Sequence, residues 1–335
     1  MDRIARVLVR GEGVAAACCA HLLRRSGLAV RIEGGPRARV PAIVLSQTAL
    51  ALIRDVFGRP ELLADRPPID RRVVAWGPST EPVAVPHAAI MTSDDDLLWA
   101  LRADDEPGFD GAPDFVVQAG VADATGQARF GSRTAIAAKV RMKAAADQSA
   151  CWIEALNEGW LFVAPNPEGA SWLLAVGAPP ERLLAESRLI ADRVDLEEAR
   201  SNAFDVCPRM ATAPSGRDWL SCGAAAVAFD PICGDGVAQA VRGAVLAAAV
   251  IVAIAEGAEA PPLLRHYDSM LAAAMRRHLK LCADYYGAMG PRPWWSAELD
   301  ALVQGFHACT SRLATAPEPL FALRGYRLEP REVAA

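Results

Sequence analysis

Two glycine-containing turns hold the residues whose types and spacing could do chemistry, and the first lies near the start of the chain. An apolar run over 7–9 precedes a glycine, one residue, a second glycine and an Ala- and Leu-rich helical pattern. Glycines at these positions allow a sharp turn and bring the backbone close to a pyrophosphate, to which the helix N-terminus offers N–H groups. The spacing predicts a dinucleotide site with the contacts Gly11, Gly13, Val14, Ala15 and Ala16.

The stretch that follows this helix supports the same interpretation. The helical pattern stops at Gly27, and a second apolar run ends at Glu33, whose carboxylate could accept hydrogen bonds from ribose hydroxyls. Arg37 and Arg39 could reach a nucleotide phosphate, or they could equally be solvated loop arginines. Glu12 is at odds with the site, because it puts a carboxylate inside a turn that would bind an anion. Three interpretations of Glu12 stay open: it points to solvent, Arg10 compensates for its charge, or it marks a site that binds weakly or no longer binds. For the stretch as a whole, the alternative is a plain strand–helix–strand packing unit.

The second glycine-containing turn precedes a long Ala- and Val-rich helical pattern. A short strand over 219–222 ends at a glycine, and the loop that follows contains Asp-Pro and then a Gly-x-Gly sequence at the helix start. N–H groups at such a start can face an electron-rich oxygen, although a tight helix entry without a ligand would have the same sequence. Because a dinucleotide site is predicted at the other end of the chain, we assign this loop to the same ligand. Its predicted contacts are Gly223, Asp230, Pro231, Gly234, Gly236 and Val237.

Composition and charge limit the classes of protein to which the chain can belong. A chain of 335 residues can bury a large core, and we expect two closely joined domains. The net charge of −5 argues against nucleic acid as a partner, because phosphate binding needs a basic face. The longest apolar run, 243–255, is short for a membrane span, and the N-terminal residues do not resemble a signal peptide. We therefore expect a cytoplasmic protein without a membrane span.

Cysteine and histidine usage gives no sign of a metal centre. The sequence has eight cysteines and no Cys-x-x-Cys pair, and in a cytoplasmic chain such residues are expected to be reduced thiols. The histidines show no spacing typical of metal ligands. No metal site is predicted.

The elements that must position the two turns can be predicted from periodicity. Apolar runs of strand length over 135–143, 151–156, 159–165 and 171–176 indicate an antiparallel middle sheet. Short strands are also predicted over 73–76 and 83–85, and the strand predicted over 115–119 precedes a loop that suits the carboxyl edge of the same sheet as the first turn. Helices are predicted over 46–56, 94–102, 181–194, 196–203, 261–289 and 296–313, with a loop from 315 onward.

These motifs, in this order, resemble the flavoprotein monooxygenase superfamily of the p-hydroxybenzoate hydroxylase fold. The resemblance rests on the first glycine turn with Glu33, the Asp-Ala-Thr-Gly sequence at 123–126, the strand 160–165 and the Asp-Pro…Gly-x-Gly loop at 230–236. Within the superfamily, the chain most resembles the branch that holds flavin-dependent halogenases, geranylgeranyl reductase-like proteins and the monooxygenases that mature tryptophylquinone cofactors.

The resemblance implies an α/β fold with a Rossmann-like FAD-binding domain, a mixed or antiparallel middle sheet and a helical C-terminal region. The implied FAD domain, substrate domain and helical region are, respectively, 1–72 with 115–134 and 215–256, 73–114 with 135–214, and 257–335. FAD is the implied cofactor, with Glu33 at the adenosine ribose and 234–237 near the pyrimidine edge of the flavin. The further implied contacts are Arg39, Asp123, Ala124 and Gly126.

The function that the resemblance implies is that of an FAD-dependent oxidoreductase, most simply a monooxygenase. In such proteins reduced flavin takes up O2, and the C4a-hydroperoxide that forms hydroxylates an aromatic or apolar substrate. Electrons would come from NAD(P)H or from a separate flavin reductase. The substrate would be a small-molecule or peptide-borne aromatic group in a biosynthetic or cofactor-maturation pathway. The alternatives are a degenerate flavoprotein that acts as a non-catalytic partner, and a geranylgeranyl reductase-like reductase or dehydrogenase.

The sequence departs from this family in ways that bear on function. Besides Glu12, Ala224 stands where the family usually has the aspartate that bonds the ribityl chain. Halogenases of the branch need an active-site lysine before the middle sheet, whereas the first lysine of this chain is Lys139. We therefore expect that the protein is not a halogenase.

No catalytic side chain is predicted, because in this superfamily the flavin carries the chemistry while the protein orients and shields it. Aromatic side chains commonly line apolar pockets, but they also fill protein cores. The predicted substrate pocket contains Trp160, Phe162, Cys233, Trp294 and Trp295, with core packing as the alternative for each.

Overall fold

The computed structural model describes residues 4–35, 40–77, 81–102, 108–120, 126–143, 147–166, 170–316 and 321–331. Its helices are α1 (Val14–Arg25), α2 (Gln47–Phe57), α3 (Asp94–Ala100), α4 (Pro180–Glu186), α5 (Gly236–Ala255), α6 (Ala260–Gly287) and α7 (Pro293–Ala314). The strands of its first half are β1 (Arg6–Arg10), β2 (Ala29–Glu33), β3 (Ile43–Ser46), β4 (Pro68–Ala75), β5 (Val83–Thr92), β6 (Phe115–Gln118), β7 (Gln127–Arg129), β8 (Thr134–Met142) and β9 (Ala150–Leu156). The later strands are β10 (Gly159–Ala164), β11 (Ser171–Val176), β12 (Val194–Arg200), β13 (Phe204–Asp205), β14 (Arg209–Ala211), β15 (Trp219–Ser221), β16 (Val227–Ala228), β17 (Phe321–Arg324) and β18 (Arg327–Pro330).

A parallel sheet in the strand order β15–β6–β1–β2 carries the first glycine turn. Val9 in β1 lies opposite Ile32 in β2 and Val117 in β6. Consecutive residues of β1, such as Val7 and Leu8, are both buried, as expected for a parallel sheet that is covered on its two faces. Because the strands are parallel, the loops after β1, β6 and β15 leave the same edge of the sheet, where ligands bind in open α/β folds.

A larger, mixed sheet has the order β12–β8–β11–β10–β9–β4–β5–β3, and β13 also pairs with β8. β4 and β9 run parallel, whereas β9, β10, β11 and β8 form antiparallel neighbours. The alternation along β10 separates two cores: Leu161 and Val163 pack with α4, and Trp160 packs on the opposite side with the main core. β4 and β5 extend well beyond the predicted strands 73–76 and 83–85.

The predicted helix over 196–203 is wrong, because β12 covers most of this range. Leu196 lies opposite Val140 of β8, and Val194 lies opposite Met142. Val194 and Leu196 pack against the core two residues apart, which is the period of a strand. Pairing with β8 therefore outweighs the helical propensity of a Glu- and Ala-containing segment. The predicted helix over 181–194 is shorter than expected and corresponds to α4.

The tail that was predicted to be a loop contains a hairpin formed by β17 and β18. Tyr326 lies in its turn and donates a hydrogen bond to Asp55 at 2.6 Å, which ties the hairpin to α2. Sequence periodicity did not reveal these strands, because they are four residues long and largely exposed.

The C-terminal region is helical, with α6 packed along α7 and α5 packed against α1 and α2. Among the described residues, α5 is the one helix with the length and the apolar character to cross a membrane, with a mean hydropathy of 2.1. Since 67% of that window is buried inside the protein, α5 is best explained as a core helix.

The fold class implied by the resemblance is confirmed: a parallel α/β unit, a mixed middle sheet and a helical C-terminal region. The division into three domains stays a prediction. β3 pairs with β5 in the mixed sheet, although residues 43–46 lie inside the range assigned to the FAD domain.

Candidate functional site

The first glycine-containing turn, between β1 and α1, has a backbone conformation that requires glycine. Gly11 and Gly13 have φ angles of 120° and 116°, which side-chain-bearing residues rarely adopt. Gly11 N donates to Glu33 O at 2.8 Å, so the turn is bonded to the end of β2. A methyl group at Gly11 would lie 2.2 Å from the backbone nitrogen of Gly120, after β6. Only glycine fits at this position.

The start of α1 is open to an anion. Gly13 is the N-cap residue and has no side chain with which to bond the N–H groups of Val14, Ala15 and Ala16. The first turn of α1 contains no acidic residue. Gly223, with φ of 59°, packs on this turn so closely that a methyl group there would lie 2.6 Å from Ala15 Cβ. The structure therefore brings Gly223, one predicted contact of the second turn, against Ala15, a predicted contact of the first.

Acidic and basic side chains meet beside the turn. Glu33 pairs with Arg10 at 3.4 Å and with Arg31 at 3.1 Å, and the side chains are partly exposed. Glu12 reaches toward the same end of β2, where a Cβ at Gly34 would lie 2.5 Å from Glu12 Oε1. Two carboxylates thus occupy the edge at which a ribose and a phosphate are predicted.

The structure describes only one of the four further contacts that the resemblance implies. Arg39, Asp123 and Ala124 lie outside the described residues. Gly126 is exposed, and its carbonyl accepts a hydrogen bond from the Thr212 backbone at 2.9 Å.

The second turn leads into α5 through a 3₁₀ turn at Pro231–Cys233. Asp230 caps this turn by accepting a hydrogen bond from Ile232 N at 2.9 Å, and Gly234 ends it with φ of 62°. The side chain of Asp235, the N-cap residue of α5, bonds Gln239 and Arg242 instead of the first helical turn. Gly234 and Gly236 are exposed, and Val237 is half-buried. The backbone at the start of α5 is thus exposed, and its contact with a ligand stays a prediction.

The Asp230 carboxylate lies inside a buried polar network. Arg133 Nε lies 2.9 Å from Asp230 Oδ2, and Arg133 Nη1 also donates to Glu298. Tyr286 OH donates to Asp230 Oδ2 at 2.9 Å, while the Asp230 backbone N–H donates to His278 Nε2 at 2.8 Å. The Arg133 guanidinium lies 4.8 Å from the centre of the Tyr286 ring. The network joins the loop before α5 to α6, α7 and the start of β8.

Burial sets the direction of most pKa shifts in this network. It raises the pKa of Asp230, which Arg133 opposes, and it raises the pKa of Tyr286 well above its usual value. Burial and then Arg133 lower the pKa of His278 to about 4. Burial disfavours the charged form of Arg133, but Tyr286, Asp230 and Glu298 together raise its pKa. Asp230 thus holds the loop in place, and its predicted contact with the cofactor stays a prediction.

The predicted aromatic pocket residues form a packed cluster. Trp294 and Trp295 lie 4.8 Å apart edge to face, and Tyr286 lies 5.0 Å from Trp295. Trp160 is buried and donates to Tyr286 OH at 3.4 Å, and Trp295 is buried and donates to Leu156 O at 2.8 Å. Trp294 is half-buried. The structure therefore brings three of the predicted residues together as core, and their role in a substrate pocket stays a prediction.

Sequence reasoning missed Arg72 and His87, which face the second loop from β4 and β5. Arg72 Nη2 lies 3.1 Å from His87 Nε2, and a Cβ at Gly234 would lie 3.2 Å from the same Nη2. Burial and then Arg72 lower the pKa of His87 to about 4, so the ring is neutral at pH 7. Phe162, half-buried, packs beside Cys151 on the same side of the mixed sheet. The one sign of this site in the sequence was the position of Arg72, a charged residue directly before the apolar part of β4.

Solved structures of other proteins are similar to this chain in fold. No protein-family model and no curated protein sequence matches the chain. The peptidyl tryptophan dihydroxylase QhpG, essential for tryptophylquinone cofactor biogenesis, is similar in structure, with 22% identity, a TM-score of 0.74, and coverage of 98% of this chain and 87% of that one. The flavin-dependent halogenase CmlS shares 16% identity and a TM-score of 0.74, over 97% of this chain and 75% of that one.

A third similar structure is HpxO of Klebsiella pneumoniae complexed with FAD, with 15% identity and a TM-score of 0.63, over 93% of this chain and 98% of that one. The chain therefore has the fold of the FAD-dependent monooxygenases and halogenases, as the resemblance in sequence implied.

Proposed function

We propose that the protein is an FAD-dependent oxidoreductase of the monooxygenase type. The observation that carries the proposal is the contact of Gly223, from the second turn, with Ala15 at the uncapped start of α1, directly after the turn that contains Gly11 and Gly13. The helix N-terminus fits the diphosphate of a dinucleotide, because its N–H groups and dipole favour an anion. Glu33 at the end of β2 fits a ribose.

The residues present define what the chain would contribute. FAD, when bound, supplies the redox chemistry and the activation of O2. The first turn of α1 would hold the diphosphate, and the exposed backbone at Gly234 and Gly236 would face the ring system. Arg72 places a positive charge beside this loop, where it would stabilise an anionic group of the reacting ligand. His87 accepts a hydrogen bond from Arg72 and thereby orients the guanidinium.

Halogenation is not part of the proposal. The three lysines of the sequence are engaged elsewhere: Lys139 pairs with Glu197 at 3.0 Å, Lys143 donates to a backbone carbonyl, and Lys280 pairs with Asp284 at 3.2 Å. Lys139 and Lys143 lie on or directly after β8, and Lys280 is exposed on α6. These contacts support the proposal that the protein is not a halogenase.

An aromatic substrate, either a small molecule or a side chain carried by a peptide, fits the proposal best. Support comes from the similarity to a peptidyl tryptophan dihydroxylase over 98% of this chain. Phe162 offers a half-buried ring on the mixed sheet beside Cys151, and such rings commonly line apolar ligand sites. The electrons would come from NAD(P)H or from a separate flavin reductase.

Glu12 favours one second candidate function, in which the chain binds FAD weakly and serves as a non-catalytic partner protein. Its carboxylate lies against Gly34 at the edge where the nucleotide is predicted, and it opposes an anionic ligand.

The absorbance spectrum of freshly purified protein, followed by titration with FAD, separates the two candidates. Flavin bands or micromolar binding, followed by O2 consumption with a reductant and an aromatic peptide, supports the oxidoreductase. Riboflavin is the control ligand, because it lacks the diphosphate and should bind more weakly if α1 holds that group. A colourless protein that does not bind excess FAD contradicts the proposal and favours the partner function.

A further inference from the structure

Two cysteines from distant parts of the chain touch each other beside the second loop. Cys233 ends the 3₁₀ turn at Pro231–Cys233, and Cys282 lies on α6. Their Sγ atoms are 3.7 Å apart, close to van der Waals contact, and both are free thiols. The two positions are 49 residues apart in sequence, so only the tertiary structure creates the pair.

Exposure distinguishes this pair from the other cysteines. All eight cysteines lie in the described part of the chain, and Cys233 alone among them is partly exposed. Oxidation of a thiol requires that the oxidant reach the sulfur. Cys233 is the partly exposed member of the pair, and Cys282 is the buried one.

His278 lies next to the pair, and together the three side chains form a group of possible metal ligands. Its Nε2 lies 3.3 Å from Cys282 Sγ, and the ligand atoms of Cys233, His278 and Cys282 lie within 4.8 Å of one another. A cation would need the Nε2 lone pair, but that lone pair accepts the backbone N–H of Asp230 at 2.8 Å. The buried Arg133 guanidinium close to Asp230 also opposes a cation. The arrangement therefore favours thiol chemistry over metal binding.

We propose that Cys233 and Cys282 form a redox-active thiol pair, which hydrogen peroxide converts into an intramolecular disulfide. In the first step the Cys233 sulfur attacks one peroxide oxygen, the O–O bond breaks, and a sulfenic acid and one water form. In the second step the Cys282 sulfur attacks the Cys233 sulfur, an S–S bond replaces the S–O bond, and a second water leaves with the Cys282 proton. Each peroxide accepts two electrons, and the two thiols lose one each.

The backbone around Cys233 can allow the bond to form. The sulfurs must approach from 3.7 Å to about 2.05 Å, the length of a disulfide bond. Asp230 fixes the start of the 3₁₀ turn, but Cys233 is followed by Gly234 in a left-handed conformation and by the exposed Gly236, so the backbone on that side of Cys233 can adjust. The bond would tie the loop that begins α5 to α6. It does not require that FAD be bound.

Peptide mapping of the wild-type protein, purified without reductant and then titrated with hydrogen peroxide, tests the proposal. We expect that two of the eight thiols are lost in a thiol count under denaturing conditions, that digestion releases a Cys233–Cys282 cross-linked peptide, and that dithiothreitol restores both thiols. In Cys282→Ser, dimedone should label Cys233 instead. Cys309→Ser is the matched control and should still form the cross-link.

Two results would overturn the proposal. One is oxidation of Cys233 to the sulfinic acid with Cys282 still a free thiol in the wild-type protein. The other is one equivalent of zinc, retained through gel filtration, that protects both thiols from peroxide. Because the mapping uses peroxide as a reagent, its outcome is independent of whether the protein binds FAD.

Discussion

Arg133 Nε and Asp230 Oδ2 lie 2.9 Å apart in the interior, and neither side chain is exposed to solvent. Arg133 also binds Glu298 from α7, and Asp230 also accepts a hydrogen bond from Tyr286 of α6. One guanidinium therefore joins the loop that leads to the candidate flavin site to the C-terminal helices. Buried interactions with other segments, above all the ion pair with Arg133, therefore help to hold the loop in place.

Replacing Arg133 by Met should strongly destabilise the fold. The substitution leaves the carboxylates of Asp230 and Glu298 buried without their cation, which typically costs about 3–5 kcal/mol. Urea unfolding measures the loss. Arg129→Ala is the control, because Arg129 pairs with Asp205 near the surface and should lose at most about 1 kcal/mol. Equal effects of the two substitutions would contradict the prediction.

Replacing Gly11 by Ala should unfold the protein or strongly lower its free energy of unfolding, because Gly11 lies in the first glycine-containing turn. The new methyl group would lie 2.2 Å from Gly120 N, and φ of 120° is unfavourable for alanine, so we expect a loss of about 3 kcal/mol or more. Thermal and urea unfolding measure the loss. Gly27→Ala shares a positive φ but meets nothing within 4 Å, so it should cost about 1–2 kcal/mol. If Gly27→Ala cost as much, the close contact at Gly11 would not be the cause.

Replacing Glu12 by Ala should strengthen FAD binding. The substitution removes a carboxylate from the edge that would receive an anionic ligand, and we expect about a tenfold lower Kd for FAD. Fluorescence titration measures the change. Glu33→Ala removes the other carboxylate of the same edge and should weaken binding, since Glu33 is predicted to hold the ribose. Weaker binding in Glu12→Ala would show that this carboxylate contributes to the site.

The protein should lose stability between pH 6.5 and pH 4, and His278 should account for part of the loss. Burial lowers the pKa of His278 to about 4 from its usual 6.5, so in this window the unfolded chain binds a proton that the folded protein does not. The free energy of unfolding therefore rises with pH, and the contribution of His278 is complete above pH 6.5.

His278→Gln tests this contribution, because the glutamine oxygen can still accept the Asp230 N–H but does not titrate. Urea unfolding at pH 4.5 and pH 7.5 measures it. The wild type should lose on the order of 3 kcal/mol more than the variant across the full window. A pH dependence that is identical in the two proteins would assign the loss to other groups.

The parallel strand–helix–strand unit was predictable from local spacing, whereas the mixed architecture of the larger sheet was implied only by the resemblance to a known family. Gly11, Gly13, Gly27 and Glu33 stand at the points where strands and the helix must end, and the structure has β1, α1 and β2 there. The strands of the middle sheet that carry clear alternation, β8 to β11, were predicted for the same reason.

Prediction failed where a long-range pairing decides the local state. The segment of β12 has the composition of a helix, and it is a strand because β8 offers an edge with which Leu196 and Val194 align. The pair β17 and β18 is held by contacts such as Tyr326 with Asp55, which lie far apart in sequence.

Sequence by itself determined the two glycine turns, because backbone conformation at glycine is a local property, and it predicted a dinucleotide as their ligand. Only the tertiary structure decided what surrounds them. The burial of Asp230 against Arg133, the position of Arg72 beside Gly234 and the contact of Cys233 with Cys282 all join distant segments. Charge pairing and thiol contact depend on distances of a few ångströms between such segments, and no local pattern encodes those distances.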